Sequence, residues 1–180
     1  MTKLKKVVTA LFVTTLLVLT SCSKDDDPII PNEEEVITTL EYTLTPSDGG
    51  TVVVLSFQDL DGDGGNAPII TGGTLDSNKT YTGALVLLNE QETPAEDITT
   101  EIQEEDEDHQ FFFQTNIAGL TVAYTDQDAN GNPLGLQSTI TTTDAGNGTL
   151  SVVLRHEPNK SASGVSGGDI TNAGEKLILK

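Results

Sequence analysis

From Val36 onward the chain is built of short runs rich in Val, Thr, Leu and Ile, each closed by a cluster of Gly, Asp, Asn or Pro. β-Branched side chains suit a pleated, half-buried surface, and the turn residues between them interrupt any longer element. The runs at 37–45, 51–58, 82–90, 98–103, 109–115, 120–126, 136–143 and 149–156 all read as strands. No window sustains a helical period with caps at its ends. The expected fold is therefore all-β: a single antiparallel β-sandwich of Ig-like, Greek-key type spanning residues 36–180.

The chain also echoes itself at an offset of 67 residues. Asp59, Asp61 and Gly64 fall on Asp126, Asp128 and Gly131, and Val86, Leu87 and Glu90 fall on Val153, Leu154 and Glu157 without a gap. Two pseudo-repeated halves are expected, each a strand, an acidic loop and two further strands. Facing one another, the two halves would supply the two sheets.

Residues 1–21 read as a lipoprotein signal peptide. Lys3, Lys5 and Lys6 precede an apolar stretch (7–19) that is too short to span a bilayer. Leu19-Thr20-Ser21-Cys22 resembles a bacterial lipobox, which makes Cys22 the lipidated residue. It is the only cysteine, so the chain has neither a disulfide nor a thiol catalyst. Residues 22–35 then read as the lipidated cysteine and an acidic, disordered tether. Within it Lys24, Asp25 and Asp26 resemble the short lysine-plus-acid signal that directs lipoproteins of the Bacteroidetes group to the outer face of the outer membrane. The expected location is the outer membrane, anchored by lipid and exposed at the cell surface. Without the signal the chain carries six basic against 28 acidic side chains, a net of −22. Such a surface repels nucleic acid and favours cations or basic partners.

Two acidic loops fit the D-x-D-x-[DN]-G opening of a calcium loop: Asp59, Asp61 and Asp63 in one, Asp126, Asp128 and Asn130 in the other. Alternate carboxylates in a tight loop can converge on one hard cation. Neither loop is an EF-hand, because Ile70 and Gln137 stand where a bidentate Glu is required. The competing reading is a pair of turn-rich loops between strands. Two histidines sit at strand ends among acids, and Asp108, His109, His156 and Glu157 would make a ligand set for zinc or another transition metal if those ends met. Phe111–Phe113 reads as a strand with core on both faces. Gly164-Val165-Ser166-Gly167-Gly168 matches G-x-S-x-G, but no histidine follows and the flanks are Ser- and Gly-rich, so a hydrolase elbow is not expected. Calcium is the candidate ion of the loops, and no organic cofactor is expected.

DLDGDGGNAP, DEDHQFFF, YTDQDANGNPLGL and LRHEPNKSASGVSGGDITNAG resemble segments of small flavobacterial-type outer-membrane lipoproteins labelled "type 1 periplasmic binding fold superfamily protein". The resemblance implies a secreted all-β domain that works beside a TonB-dependent receptor. The label's own fold alternates strands with helices and conflicts with the strand pattern. The expectation is a non-enzymatic accessory protein that binds a cation or cationic ligand in concert with an outer-membrane uptake receptor. The alternative is a calcium-stabilised structural or adhesive module.

Overall fold

The computed structural model describes residues 35–62, 64–174 and 177–179. The signal segment, Cys22, Lys24, Asp25, Asp26 and Asp63 lie outside the described residues. The elements in order are β1 (Thr39–Pro46), β2 (Val53–Gln58), β3 (Ile69–Thr71), β4 (Thr80–Asn89), β5 (Glu96–Asp97), α1 (Ile98–Glu104), β6 (His109–Thr115), β7 (Leu120–Tyr124), β8 (Gln137–Thr142), β9 (Leu150–His156) and β10 (Leu177–Leu179). They form two antiparallel sheets. The larger runs β3-β2-β1-β4-β8-β7, with β5 added on β4, and the smaller runs β10-β9-β6. The all-β expectation holds.

Alternation sets which side chains meet between the sheets. Along β1, Leu40, Tyr42 and Leu44 are buried while Glu41 and Thr45 face out, as a period of two requires. They share one core with Tyr81, Leu85 and Leu87 of β4, Ile140 of β8, and Phe111 and Leu154 of the small sheet. The Tyr42 ring stacks on Phe113 across the seam at 5.6 Å between centroids. Its hydroxyl lies 2.5 Å from Ser138 Oγ. Gly83 makes room for this pair, since a Cβ there would fall 2.6 Å from Ser138 Oγ and 2.7 Å from the Tyr42 ring.

The small sheet is covered on its other face too. Phe112 and Val153 form a second core with Val165 and Ala173 of the C-terminal segment, and Gln110 Nε2 donates to the Val165 carbonyl at 2.9 Å. That segment crosses the sheet through two 3₁₀ turns, Val165–Gly167 and Ile170–Asn172. Phe111 and Phe112 thus serve two different cores, which is why an unbroken aromatic run suits β6. The G-x-S-x-G stretch is the first of the two turns, flanked by Gly164 and Gly168 at φ 88° and 90°. It has neither the preceding strand nor the following helix that a nucleophile elbow needs.

Two expectations are corrected. Residues 98–103, read as a strand, are helical. Ile98 and Ile102 are both buried, and a spacing of four puts them on one face of a strand or of a helix alike, so periodicity could not decide. The cap decides: the Asp97 side chain accepts from the backbone N–H groups of Thr99 and Thr100 at 3.0 and 3.4 Å. The other correction concerns the repeat. Shifted by 67, β2 lands on β7, β3 on the start of β8 and β4 on β9, and both β2·β3 and β7·β8 pair. The halves do not each make a sheet, however. β8 takes the edge of β4 that β1 leaves open, bringing β7 with it, and only β9 of that half pairs with β6.

Candidate metal centre

β6 and β9 pair with His109 directly opposite His156. Opposed residues of an antiparallel pair place their side chains on the same face. The two rings stack accordingly, 4.9 Å apart at 15°, and both are fully buried. The strand ends that had to meet for a histidine site do meet.

The acids around them differ from the expected ones. Asp108 and Glu157 are exposed and are tied to each other through the backbone, the Glu157 N–H donating to the Asp108 carbonyl at 2.6 Å. Asp108 ends a 3₁₀ turn just before β6, and Glu157 follows β9 at φ 50°, so neither continues the strand that carries its histidine. The ligand atoms that converge belong to Glu35, Glu105 and His109, all within 4.8 Å of one another. Glu35 lies in the stretch read as tether, yet its side chain is only 5% exposed and Oε1 is 2.8 Å from His109 Nε2. Glu105 closes α1 and also supplies the backbone carbonyl that faces His109 Nδ1 at 3.0 Å.

This arrangement fixes the ring. A carbonyl and an ionised carboxylate both only accept, so Nδ1 carries a hydrogen toward Glu105 and Nε2 carries one toward Glu35, and a metal at Nε2 would displace the second proton. Histidines that ligate metals are commonly oriented in this way, by an Nδ1–H bond to a backbone carbonyl. Glu35 Oε2 is buried and has no hydrogen-bond partner among the described residues, so one strong acceptor beside Nε2 is unspent. Burial works against charge on His109, but the Glu35 carboxylate and the Glu105 carbonyl outweigh it and raise the ring's pKa. Burial likewise opposes charge on Glu35, and its contact with His109 overcomes this to hold the carboxyl below its usual range. Glu101 is pushed up by burial and then by Glu96, Glu35, Glu105 and Glu104, a measure of how closely carboxylates crowd this corner.

The described carboxylates of the two acidic loops have partners in the protein. In the first, Asp59 Oδ1 accepts from the Gly62 N–H at 2.9 Å, and Asp61 Oδ2 accepts from the N–H and side-chain amide of Asn66 at 2.9 and 2.6 Å. In the second, the Asp126 oxygens turn to the N–H groups of Gly135 and Gln137, both at 2.8 Å. Asp128 is buried, and its Oδ1 accepts from the N–H groups of Asn130 and Asn132 at 2.9 and 2.8 Å. Its Oδ2 accepts from the Lys160 ammonium at 2.9 Å, and Lys160 also donates to the Asp106 carbonyl at 2.5 Å. Lys160 is itself buried, so the cation beside this loop is a side chain of the protein. Asn130 takes part through its backbone and is exposed.

Sequence reasoning missed Glu35, Glu105 and Lys160. The first two were hidden in acid runs. Lys160 carried a signal, since Lys79, Arg155 and Lys160 are the only lysines and arginines between residues 25 and 175. In so acidic a chain each base has many acids to choose from. No family model, curated protein or solved structure matches the chain.

Proposed function

We propose that this chain is a lipid-anchored lipoprotein of the outer-membrane surface. In this reading it does no chemistry of its own and holds a divalent transition-metal cation at Glu35, Glu105 and His109, with His156 packed against the site. It would work in concert with an outer-membrane uptake receptor. The anchor rests on Cys22 and the surface address on Lys24, Asp25 and Asp26. One observation carries the cation reading: a fully buried imidazole held by its Nδ1 to a carbonyl, with Nε2 facing a buried carboxylate that has an oxygen to spare. Imidazole with carboxylates is a donor set suited to zinc and its neighbours, whereas calcium takes oxygen ligands. The crowd of acids around the site adds a local field that concentrates cations.

The test is thermal unfolding of the full chain in mild detergent, stripped of metal and titrated separately with zinc and calcium. A ligand that binds only the folded state at a hundred times its Kd adds about 2.7 kcal/mol. For a chain of this size that raises Tm by roughly 5–10 °C. Zinc should produce this rise, and Glu35→Gln should cut it to less than half. An equal rise in the Glu35→Gln variant would sink the proposed ligand set.

Lys160 narrows the alternative reading, a calcium-stabilised structural or adhesive module. A loop stiffened by a resident ammonium needs no calcium, which leaves the Asp59 and Asp61 loop as the place where calcium would act. A rise with calcium alone would favour that reading.

A further inference from the structure

Seven large apolar side chains stand exposed among the described residues: Val36, Val52, Val54, Leu60, Ile69, Ile70 and Val86. Five of them lie on β2, on β3 or beside them, so exposed apolar surface is concentrated at one edge of the large sheet. β3 is the terminal strand there, and no strand pairs with its outer side among the described residues. Ile69 and Ile70 are 66% and 71% exposed and point to opposite faces of that free edge. Natural sheets guard such edges with lysines, bulges, prolines or a covering element. Pro68 precedes β3, but Ile69-Ile70-Thr71 carries no charge and pairs with β2 in unbroken register.

The loop leading into this edge is acidic. Asp59 and Asp61 accept from amide groups of their own loop, and neither pairs with a base among the described residues. Lys79, one of the few bases of the chain, pairs with Asp48. A second copy is a poor occupant. β3 is three residues long, roughly 10 Å, so a symmetric pair of edges would hold two acidic loops about one Debye length apart. Each copy would also bring its own large negative charge.

We infer that the β3 edge docks an extended segment of a partner protein, which adds as a further strand. Its aliphatic side chains cover Ile69 and Ile70, and its Lys or Arg residues face Asp59 and Asp61. Backbone hydrogen bonds along the edge supply affinity in this mode, and the side chains supply selection. The inference does not rest on the cation reading, because β3 and His109 belong to different sheets.

The probe is a labelled heptapeptide, Lys-Val-Val-Thr-Val-Val-Lys, with Val on both faces of the strand, titrated by fluorescence anisotropy against the full chain in detergent. It should bind at least about tenfold more tightly than its Glu-ended counterpart, with an advantage that shrinks as salt rises. A version with proline at the centre should lose binding, because it cannot complete the ladder. Ile69→Lys with Ile70→Lys should abolish binding while the unfolding curve stays in place, both side chains being mostly solvent-exposed. Equal binding of the Lys- and Glu-ended peptides overturns the inference, as does unchanged binding to the doubly substituted protein. Sedimentation showing a dimer that this double substitution breaks would also overturn it, by making the second copy the occupant.

Discussion

Replacing Lys160 with Met tests whether a resident ammonium organises the second acidic loop. Lys160 and Asp128 are 7% and 4% exposed, so neither charge is well hydrated. Removing one partner of a buried pair typically costs 3–5 kcal/mol, because the other charge is left behind. Here Asp128 Oδ1 keeps the N–H groups of Asn130 and Asn132, while Oδ2 keeps only a long contact of 3.4 Å to the Asn132 amide. The Asp106 carbonyl loses its bond as well. The retained amides place the loss at the low end, about 3 kcal/mol. In urea this appears as a lower midpoint at unchanged slope, since the same surface is exposed on unfolding.

The pH dependence adds an independent check. Burial raises the Asp128 pKa, but Lys160 and Asn132 outweigh it, so the folded value lies below the usual one. The stabilisation is therefore fully present above the unfolded pKa of about 3.9 and is lost as pH falls through the folded value. The gap between the parent protein and Lys160→Met should be widest near neutrality and should close in acid. A loss under about 1 kcal/mol, typical of an exposed pair, or a gap that does not depend on pH, would refute the reasoning.

Phe112→Ala should cost about 3–4 kcal/mol, because its ring fills the core between the small sheet and the C-terminal segment. Limited proteolysis should then cut within residues 158–174 before it touches β1 or β4. Asp97→Ala removes the cap of α1 and should cost about 1 kcal/mol in chemical unfolding; no change would mean that Ile98, Ile102 and the Thr99 bonds to Leu87 hold the helix without it. Gly83→Ala should destabilise by roughly 1–3 kcal/mol and weaken the near-ultraviolet signal of Tyr42, since the new methyl meets the tyrosine ring and Ser138. Retained stability and an unchanged signal would show that this contact yields easily.

The longer strands were readable because their pattern is local, whereas β3, β5 and β10, of two or three residues each, fell outside the expected runs. Leu40, Tyr42 and Leu44 alternate with exposed residues, and the alternation alone announces a half-buried strand. The helix was not readable, because Ile98 and Ile102 satisfy both periods and only the bond from Asp97 separates them. The candidate centre was half readable. Two histidines at strand ends are visible in a sequence, but whether they face each other depends on register, which no local pattern specifies across a separation of 47 residues. Glu35 was invisible for a different reason. Among Glu33, Glu34 and Glu35 nothing marks one carboxylate as buried, and it is the tertiary fold that brings it to His109. The calcium-like spacing of Asp126 and Asp128 was real as a pattern, yet their carboxylates turn to different partners, because loop conformation rather than spacing decides convergence. The repeat predicted which elements recur but not how they pair, since each central strand offers two edges.

The most direct test of the cation reading is anomalous diffraction at the zinc edge, on crystals of the full chain grown with zinc. The account predicts one strong peak between His109 and Glu35, about 2.0–2.1 Å from Nε2, with Glu105 turned toward it. A peak only among the exposed acids of residues 104–108, or none while Glu35 still closes on His109, would contradict it.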